Sequence, residues 1–77
     1  MTNEQLYDKA YAIVRQLRAL GADVQCWSVK GSGKATKDCD IAIDAYKVPD
    51  DFPRDASQID PYENGETGLV RLKYNIT

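Results

Sequence analysis

The sequence predicts a small α+β domain, in which one N-terminal helix packs on one face of a three-stranded, mainly antiparallel sheet. Two observations predict this fold class: apolar residues first recur at three- and four-residue steps, and later alternate with polar residues at a period of two. The length of 77 residues and the hydrophobic content of 43% fit a single domain with one core. The predicted order is helix, strand, strand, long loop, strand. Because one helix covers only one face of a sheet, we expect the other face to meet solvent or a partner.

The helix is predicted over residues 3–20. Thr2 and Gln5 have the spacing of a capping box, and Gly21 is the residue type that most often follows the end of a helix. The apolar residues at helical spacing are expected to form the stripe that packs on the sheet, namely Leu6, Ala10, Ile13, Val14, Leu17 and Leu20.

A β-hairpin is predicted to follow the helix. Residues 22–27 and 38–45 both alternate between apolar and polar side chains, and the segment Gly31–Lys34 between them is a turn signal. We expect Cys26 to face Cys39 across this hairpin, because that register places the apolar residues of both strands on one face. Both cysteines are expected to be free thiols, since nothing in the sequence indicates export.

An irregular acidic loop is predicted over residues 47–66. This segment holds all three prolines and six acidic residues against two basic ones, a composition that disfavours long regular elements. Its large apolar residues, which are expected to pin it to the domain, are Phe52, Ile59 and Tyr62. The last strand is predicted over residues 69–76, where apolar and polar side chains alternate again.

The composition excludes several kinds of site. The chain has no histidine, which rules out catalytic triads, Cys-His dyads and histidine-ligated metals, and we expect no enzyme activity, bound metal or cofactor. A formal net charge of −2 leaves no broad basic face, so nucleic acid is not an expected partner. The sequence opens with no leader pattern and holds no apolar run near the ~20 residues that span a bilayer. We therefore expect a cytoplasmic protein without a membrane partner.

The uncovered face of the sheet is the predicted binding surface. Trp27 is expected there among charged residues, as at the centre of many protein interfaces. In the alternative interpretation, Phe52 or Ile59 folds back over Trp27 and makes it a covered structural residue. The candidate binding residues on this face and in the acidic loop are Trp27, Asp40, Asp44, Tyr46, Asp50, Asp51, Asp55, Arg71 and Lys73.

The charged residues of the second and last strands also admit two interpretations. Arg71 and Lys73 are expected opposite Asp40 and Asp44, where they would form cross-strand charge pairs. In the other interpretation these side chains contact a ligand. Charge pairing is the more common role of such residues on a sheet, so we favour it.

The pattern Asp38-Cys39-Asp40 carries the alternative enzymatic hypothesis. Side chains two apart on a strand lie on one side, and two such carboxylates can share a divalent cation. With Gly31-Ser32 upstream, the segment resembles nucleotidyltransferases, which place Gly-Ser after one strand and Asp-x-Asp on the next. The resemblance implies a metal-dependent nucleotide-handling domain that uses Asp38 and Asp40. The short spacing and the absence of an acidic residue in 69–77 depart from that pattern.

These observations together predict a small acidic protein-binding module that works by surface recognition. A partner with a basic surface would suit the acidic loop. Small size without catalytic chemistry is typical of inhibitors or modulators of larger host complexes, as phages and mobile elements produce them, and that step is an analogy. A homo-oligomeric structural subunit, paired through a free sheet edge or through Trp27, is the third hypothesis.

Overall fold

A helix and four strands make up the described part of the chain, which covers residues 2–31, 36, 38–59 and 68–76 of a computed structural model. They are α1 (Asn3–Ala19), β1 (Asp23–Val29), β2 (Ile41–Tyr46), β3 (Ala56–Ile59) and β4 (Val70–Tyr74). The strands form one sheet in the order β1-β2-β4-β3, and every neighbouring pair is antiparallel. The predicted α+β class, with one helix packed on an antiparallel sheet, is confirmed.

Both ends of α1 follow from its sequence. The Thr2 hydroxyl accepts the Gln5 amide at 3.3 Å, and the Gln5 side chain accepts the Thr2 amide at 2.9 Å, so the predicted capping box is present. At the other end Gly21 has a φ of +92°, and the amides of Gly21 and Ala22 donate to the carbonyls of Arg18 and Leu17. This pair of hydrogen bonds is a Schellman motif, which needs the left-handed conformation that glycine adopts readily.

A β-bulge in β1 overturns the predicted hairpin register. Val24 pairs with Ala45, but after the bulge Cys26 pairs with Asp44 and Trp27 with Ile43, so the predicted Cys26–Cys39 pairing is wrong. The extra residue reverses which face each later side chain takes. Trp27 therefore lies on the helix side of the sheet, and Cys26 lies on the side away from the helix.

The predicted loop contains a strand, so the sheet has four strands instead of three. β3 pairs with β4 along its whole length, from Ala56 opposite Lys73 to Ile59 opposite Val70. This strand is a short edge strand that lies after Pro53 and contains no proline, and an edge strand needs partners on one side only. The part of the predicted loop from residue 60 to 66 lies outside the described residues.

The core lies between α1 and the helix side of the sheet. Its fully buried large side chains come from the helix and from β1, β2 and β4, and are Val14, Leu17, Val29, Ile41, Ile43 and Leu72. Phe52, from the segment between β2 and β3, is 8% exposed and joins this cluster, as expected for an anchor of that segment. Leu20 was expected in the core stripe, but it is 59% exposed because it lies beyond the last turn of α1.

Candidate protein-interaction surfaces

The sheet face away from α1, called the far face below, holds two cross-strand rows of side chains. Cys26, Asp44 and Arg71 form one row, and Ser28, Ala42 and Lys73 form the other. Ala42 is only 2% exposed, while Asp44, Arg71 and Lys73 are half-buried. The far face is thus a polar surface with limited access, and these two rows carry three of the predicted binding residues. Tyr46, two residues after Asp44 on β2, lies on the same face by strand alternation.

Asp44 is the centre of the first row. Arg71 Nε donates to Asp44 Oδ1 at 2.8 Å, and Arg71 Nη2 donates to Asp44 Oδ2 at 3.2 Å. The Cys26 thiol donates to the same Oδ2 at 3.2 Å. The predicted charge pair between Asp44 and Arg71 is confirmed, and the fork geometry is the strongest form of such a pair.

The Cys26 thiol is exposed, but its environment disfavours the reactive thiolate form. Partial burial of the sulfur raises its pKa, and the hydrogen bond to Asp44 and the charge of Asp44 raise it further, while Arg71 lowers it. The buried Cys39 also has a raised pKa, first because of burial. Both residues are free cysteines. Since the thiolate is the reactive form, neither environment activates a nucleophile.

Trp27 does not lie on the far face, where it was predicted. It is half-buried on the helix side, and its ring meets Tyr7 edge-on at 5.7 Å and Tyr11 at 6.4 Å between ring centroids. The rings against Trp27 thus come from α1, whereas the sequence alternatives named Phe52 and Ile59. The bulge explains the difference, because without it the alternation in β1 would have turned Trp27 away from the helix.

Asp40 is buried and links three parts of the chain. Its Oδ2 accepts the Ile76 amide at 2.7 Å, its own amide donates to the Tyr74 carbonyl, and its carbonyl accepts the Lys30 amide. Asp38 is exposed, and both residues precede β2 instead of lying on it. The strand-face geometry inferred for a shared cation is therefore not present. Within the described residues, no three His, Cys, Asp or Glu side chains are grouped as a metal site requires.

The segment between β2 and β3 presents the predicted acidic residues. Asp50, Asp51 and Asp55 are all exposed. The turn is held by the Phe52 amide, which donates to the Pro49 carbonyl at 3.1 Å. Tyr46, at the end of β2, is half-buried opposite Asp23. Asp50 and Asp51 thus lie in the turn that follows β2, whereas Asp55 adjoins β4: its amide donates to the Lys73 carbonyl and its carboxylate accepts the Asn75 amide.

A groove of about 490 Å³ lies where this segment meets the C-terminal end of α1. Its walls are mainly apolar, with Asp51 as the acidic member, and comprise Gln16, Ala19, Leu20, Pro49, Asp51, Phe52 and Pro53. Sequence reasoning missed this groove, because it assigned Leu20 to the core. The signal that could have found it is the position of Leu20 next to Gly21, beyond the stretch that the helix can bury.

Tyr7 and Tyr11 form a second apolar surface on α1. They are 42% and 51% exposed, and the Arg15 guanidinium lies 5.9 Å from the centre of the Tyr11 ring. Together with Leu20 they are the large hydrophobic residues that the described chain leaves exposed. The chain therefore offers two apolar surfaces, one beside Trp27 and one beside Phe52.

Comparisons with protein families, with curated proteins and with solved structures find no match for this chain. In the described residues, no helix has both the length and the apolar character needed to cross a membrane.

Proposed function

We propose that this chain is a protein-binding module whose partner presents apolar side chains next to basic ones. The observation that carries this proposal is the groove at the end of α1, whose apolar walls adjoin the exposed carboxylates of Asp50 and Asp51. Protein interfaces combine an apolar centre with a polar rim in this way.

The apolar part of the groove is well suited to hold a side chain. Leu20 is 59% exposed, whereas Phe52, which lines the same groove, is 8% exposed and packs in the core. A partner side chain that covers Leu20 would remove apolar surface from water without any rearrangement of Phe52. A preformed wall of this kind lowers the entropic cost of binding.

The charge of the rim favours a basic partner. Asp50 and Asp51 are exposed. Of the two basic residues in the same segment, Arg54 donates to the carbonyls of Pro49 at 2.6 Å and Phe52 at 3.1 Å, while Lys47 is exposed. The Arg54 guanidinium keeps its charge there, but Asp50, Asp51 and Asp55 outnumber Lys47 and Arg54, so the segment has a net acidic charge. Lysine or arginine beside the apolar anchor of a partner would complement it.

The test uses a helical peptide of leucines and lysines, with the leucines on one face, and a matched peptide with glutamate in place of lysine. We expect amide resonances of Leu20, Asp51 and Phe52 to shift and saturate with the lysine peptide, with a Kd on the order of 100 μM. The glutamate peptide is expected to cause no saturating shift at these positions.

Two variants locate the site. Leu20→Ser removes the exposed apolar wall, and Asp51→Asn removes one rim charge, so both are expected to weaken binding of the lysine peptide. Asp38→Asn is the matched control, since Asp38 is also exposed but lies before β2, at the end of that strand far from Pro49. Equal affinity for both peptides, or an equal loss in all three variants, would overturn the assignment of this groove.

We also propose a mode of action. A module that occupies part of a larger protein without chemistry of its own acts as an inhibitor or modulator, and this part of the proposal rests on the analogy of size and composition alone. The absence of enzyme activity stays a prediction.

A further inference from the structure

One exposed stripe of α1 combines aromatic and charged side chains. Residues three or four apart on a helix lie above one another, and this spacing places Glu4, Tyr7, Tyr11, Arg15 and Arg18 along one line. All five are exposed. We call this line the α1 stripe.

The fold buries only part of each of the two tyrosine side chains in the α1 stripe. Their rings lie near Trp27, at centroid distances of 5.7 and 6.4 Å, yet they remain 42% and 51% exposed. Tyrosine is enriched at protein interfaces, because a stiff apolar ring with a polar tip gives up little entropy when it is covered. A partner with an apolar surface opposite the middle of the stripe would cover the ring surface that remains exposed.

The charges of the α1 stripe are divided between its two ends. Glu4 lies at the N-terminal end, with Asp8 next to it, and Arg15 and Arg18 lie at the C-terminal end. The helix dipole favours this division, so the charges alone indicate no partner. Together with the tyrosines between them, however, these charges make the stripe complementary to a second copy of itself that runs in the opposite direction.

We propose that the chain forms a two-fold symmetric homodimer in which two α1 stripes pack antiparallel about Tyr11. A two-fold axis there places Glu4 of one chain opposite Arg18 of the second copy, and Tyr7 opposite Arg15. Every charged group then meets an opposite charge or a ring face, and Tyr11 meets Tyr11. Such a self-complementary patch is what an isologous interface requires.

The position of β1 supports the same occupant. α1 packs mainly against β1, and β1 is one of the two edge strands of the described sheet. Trp27, which lies behind Tyr7 and Tyr11, belongs to this strand. A second copy seated on the α1 stripe therefore also approaches the β1 edge and covers the exposed part of Trp27.

The homodimer leaves the proposed partner groove open. Gln16 and Ala19, which line that groove, lie on a different side of α1 from Tyr7 and Tyr11 by helical spacing. The two surfaces can be occupied together, and each proposal can fail without the other.

Sedimentation equilibrium tests the homodimer. We expect the average mass to rise from 8.6 kDa towards twice that value between about 5 μM and about 1 mM chain. Added salt is expected to weaken the association, since the charges are exposed. The fluorescence of Trp27, the single tryptophan, should change over the same concentration range.

Charge-swap variants test the antiparallel pairing. Arg18→Glu and Glu4→Arg each place like charges opposite each other in a homodimer, and we expect the Kd to rise by about ten-fold or more. An equimolar mixture of the two variants restores both opposite-charge pairs, so it should associate at close to the original Kd. Lys9→Glu is the matched control, because it makes the same charge change as Arg18→Glu on another side of α1.

Far-UV circular dichroism shows whether each variant remains folded, and the mixing experiment compares only folded chains. A mass of 8.6 kDa at every concentration overturns the proposal. So does association that Lys9→Glu weakens as much as Arg18→Glu does. Failure of the two folded variants to associate on mixing would show that the helices do not pair antiparallel.

Discussion

Arg71 and Asp44 face each other across the β2–β4 pair, and two hydrogen bonds of 2.8 and 3.2 Å join the guanidinium to the carboxylate. The Asp44 side chain is 13% exposed and that of Arg71 is 39% exposed. The pair thus lies between the exposed type, whose members contribute little, and the buried type, whose partners are costly to leave alone. Its main effect is to satisfy Asp44 where little water reaches it.

Removal of Arg71 should therefore cost more than loss of one surface charge. For Arg71→Met we expect the free energy of unfolding to fall by about 1–3 kcal/mol, because the half-buried Asp44 carboxylate loses both hydrogen bonds from the guanidinium. Arg71→Lys keeps the charge but loses the fork, and should cost about 1 kcal/mol. Urea unfolding followed by Trp27 fluorescence measures both. Lys73→Met, the neighbouring change on the far face, is the control, and an equal loss there would contradict a special role for Arg71.

Removal of Asp44 and removal of Arg71 should change the reactivity of Cys26 in opposite directions. Asp44→Asn removes the negative charge that raises the pKa of the Cys26 thiol, so alkylation at neutral pH should become about three- to ten-fold faster. Arg71→Met removes a charge that lowers the same pKa, so alkylation should become slower. Peptide mass spectrometry after timed iodoacetamide treatment separates Cys26 from Cys39. Faster alkylation in both variants would point to loosening of the fold instead of electrostatics.

The helix and the inward positions of β2 and β4 were predictable from the sequence, because periodicity reports which side chains are buried. The bulge in β1 was not, since one extra residue leaves the alternation of letters unchanged on each side of it. Trp27 and Cys26 therefore exchanged faces relative to the prediction. The prediction of the Asp44–Arg71 pair was not affected by this error, because both residues belong to the β2–β4 ladder, which has no bulge.

β3 and the groove escaped prediction for a different reason. Ala56 to Ile59 contain little β-propensity and depend on β4 for their pairing, so local sequence carries almost no signal for that strand. The groove is lined by Leu20 from the end of α1 and by Phe52 from the segment between β2 and β3, so it depends on the tertiary fold. Surfaces made by two distant segments are the part of a site that a single sequence reveals least.

Replacement of Gly21 should destabilise the fold because of the backbone conformation at this position. No atom lies within 4 Å of the position that a Cβ would take there, while its φ of +92° disfavours other residues. We expect Gly21→Ala to lower the free energy of unfolding by about 1 kcal/mol, which corresponds to a fall in Tm of roughly 4–8 °C in a domain of this size. Gly21→Asn should cost less, since asparagine tolerates this region better. A larger loss for asparagine would show that side-chain volume matters at this position.

Tyr74 should make the fold sensitive to alkaline pH. Burial raises its pKa to about 12 from the usual 10, while the charge of Arg54 lowers it and that of Asp55 raises it by smaller amounts. Its hydroxyl donates to the Pro53 carbonyl at 2.8 Å. Between these two values the folded chain retains the phenolic proton that the unfolded chain has released. The stability contributed by this group is therefore complete below pH 10, and is lost as the pH rises towards 12.

Comparison of the wild type with Tyr74→Phe isolates this effect from the other groups that titrate at alkaline pH. At neutral pH the variant should be less stable by about 1 kcal/mol, since it lacks the hydrogen bond that joins β4 to the segment before β3. Above pH 10 the wild type should lose stability more steeply than the variant, by about 2 kcal/mol at most. The two curves of unfolding free energy against pH therefore approach or cross. Urea unfolding at several pH values measures this difference. Parallel curves from pH 8 to pH 12 would show that the Tyr74 hydroxyl ionises as readily in the folded chain as in the unfolded one.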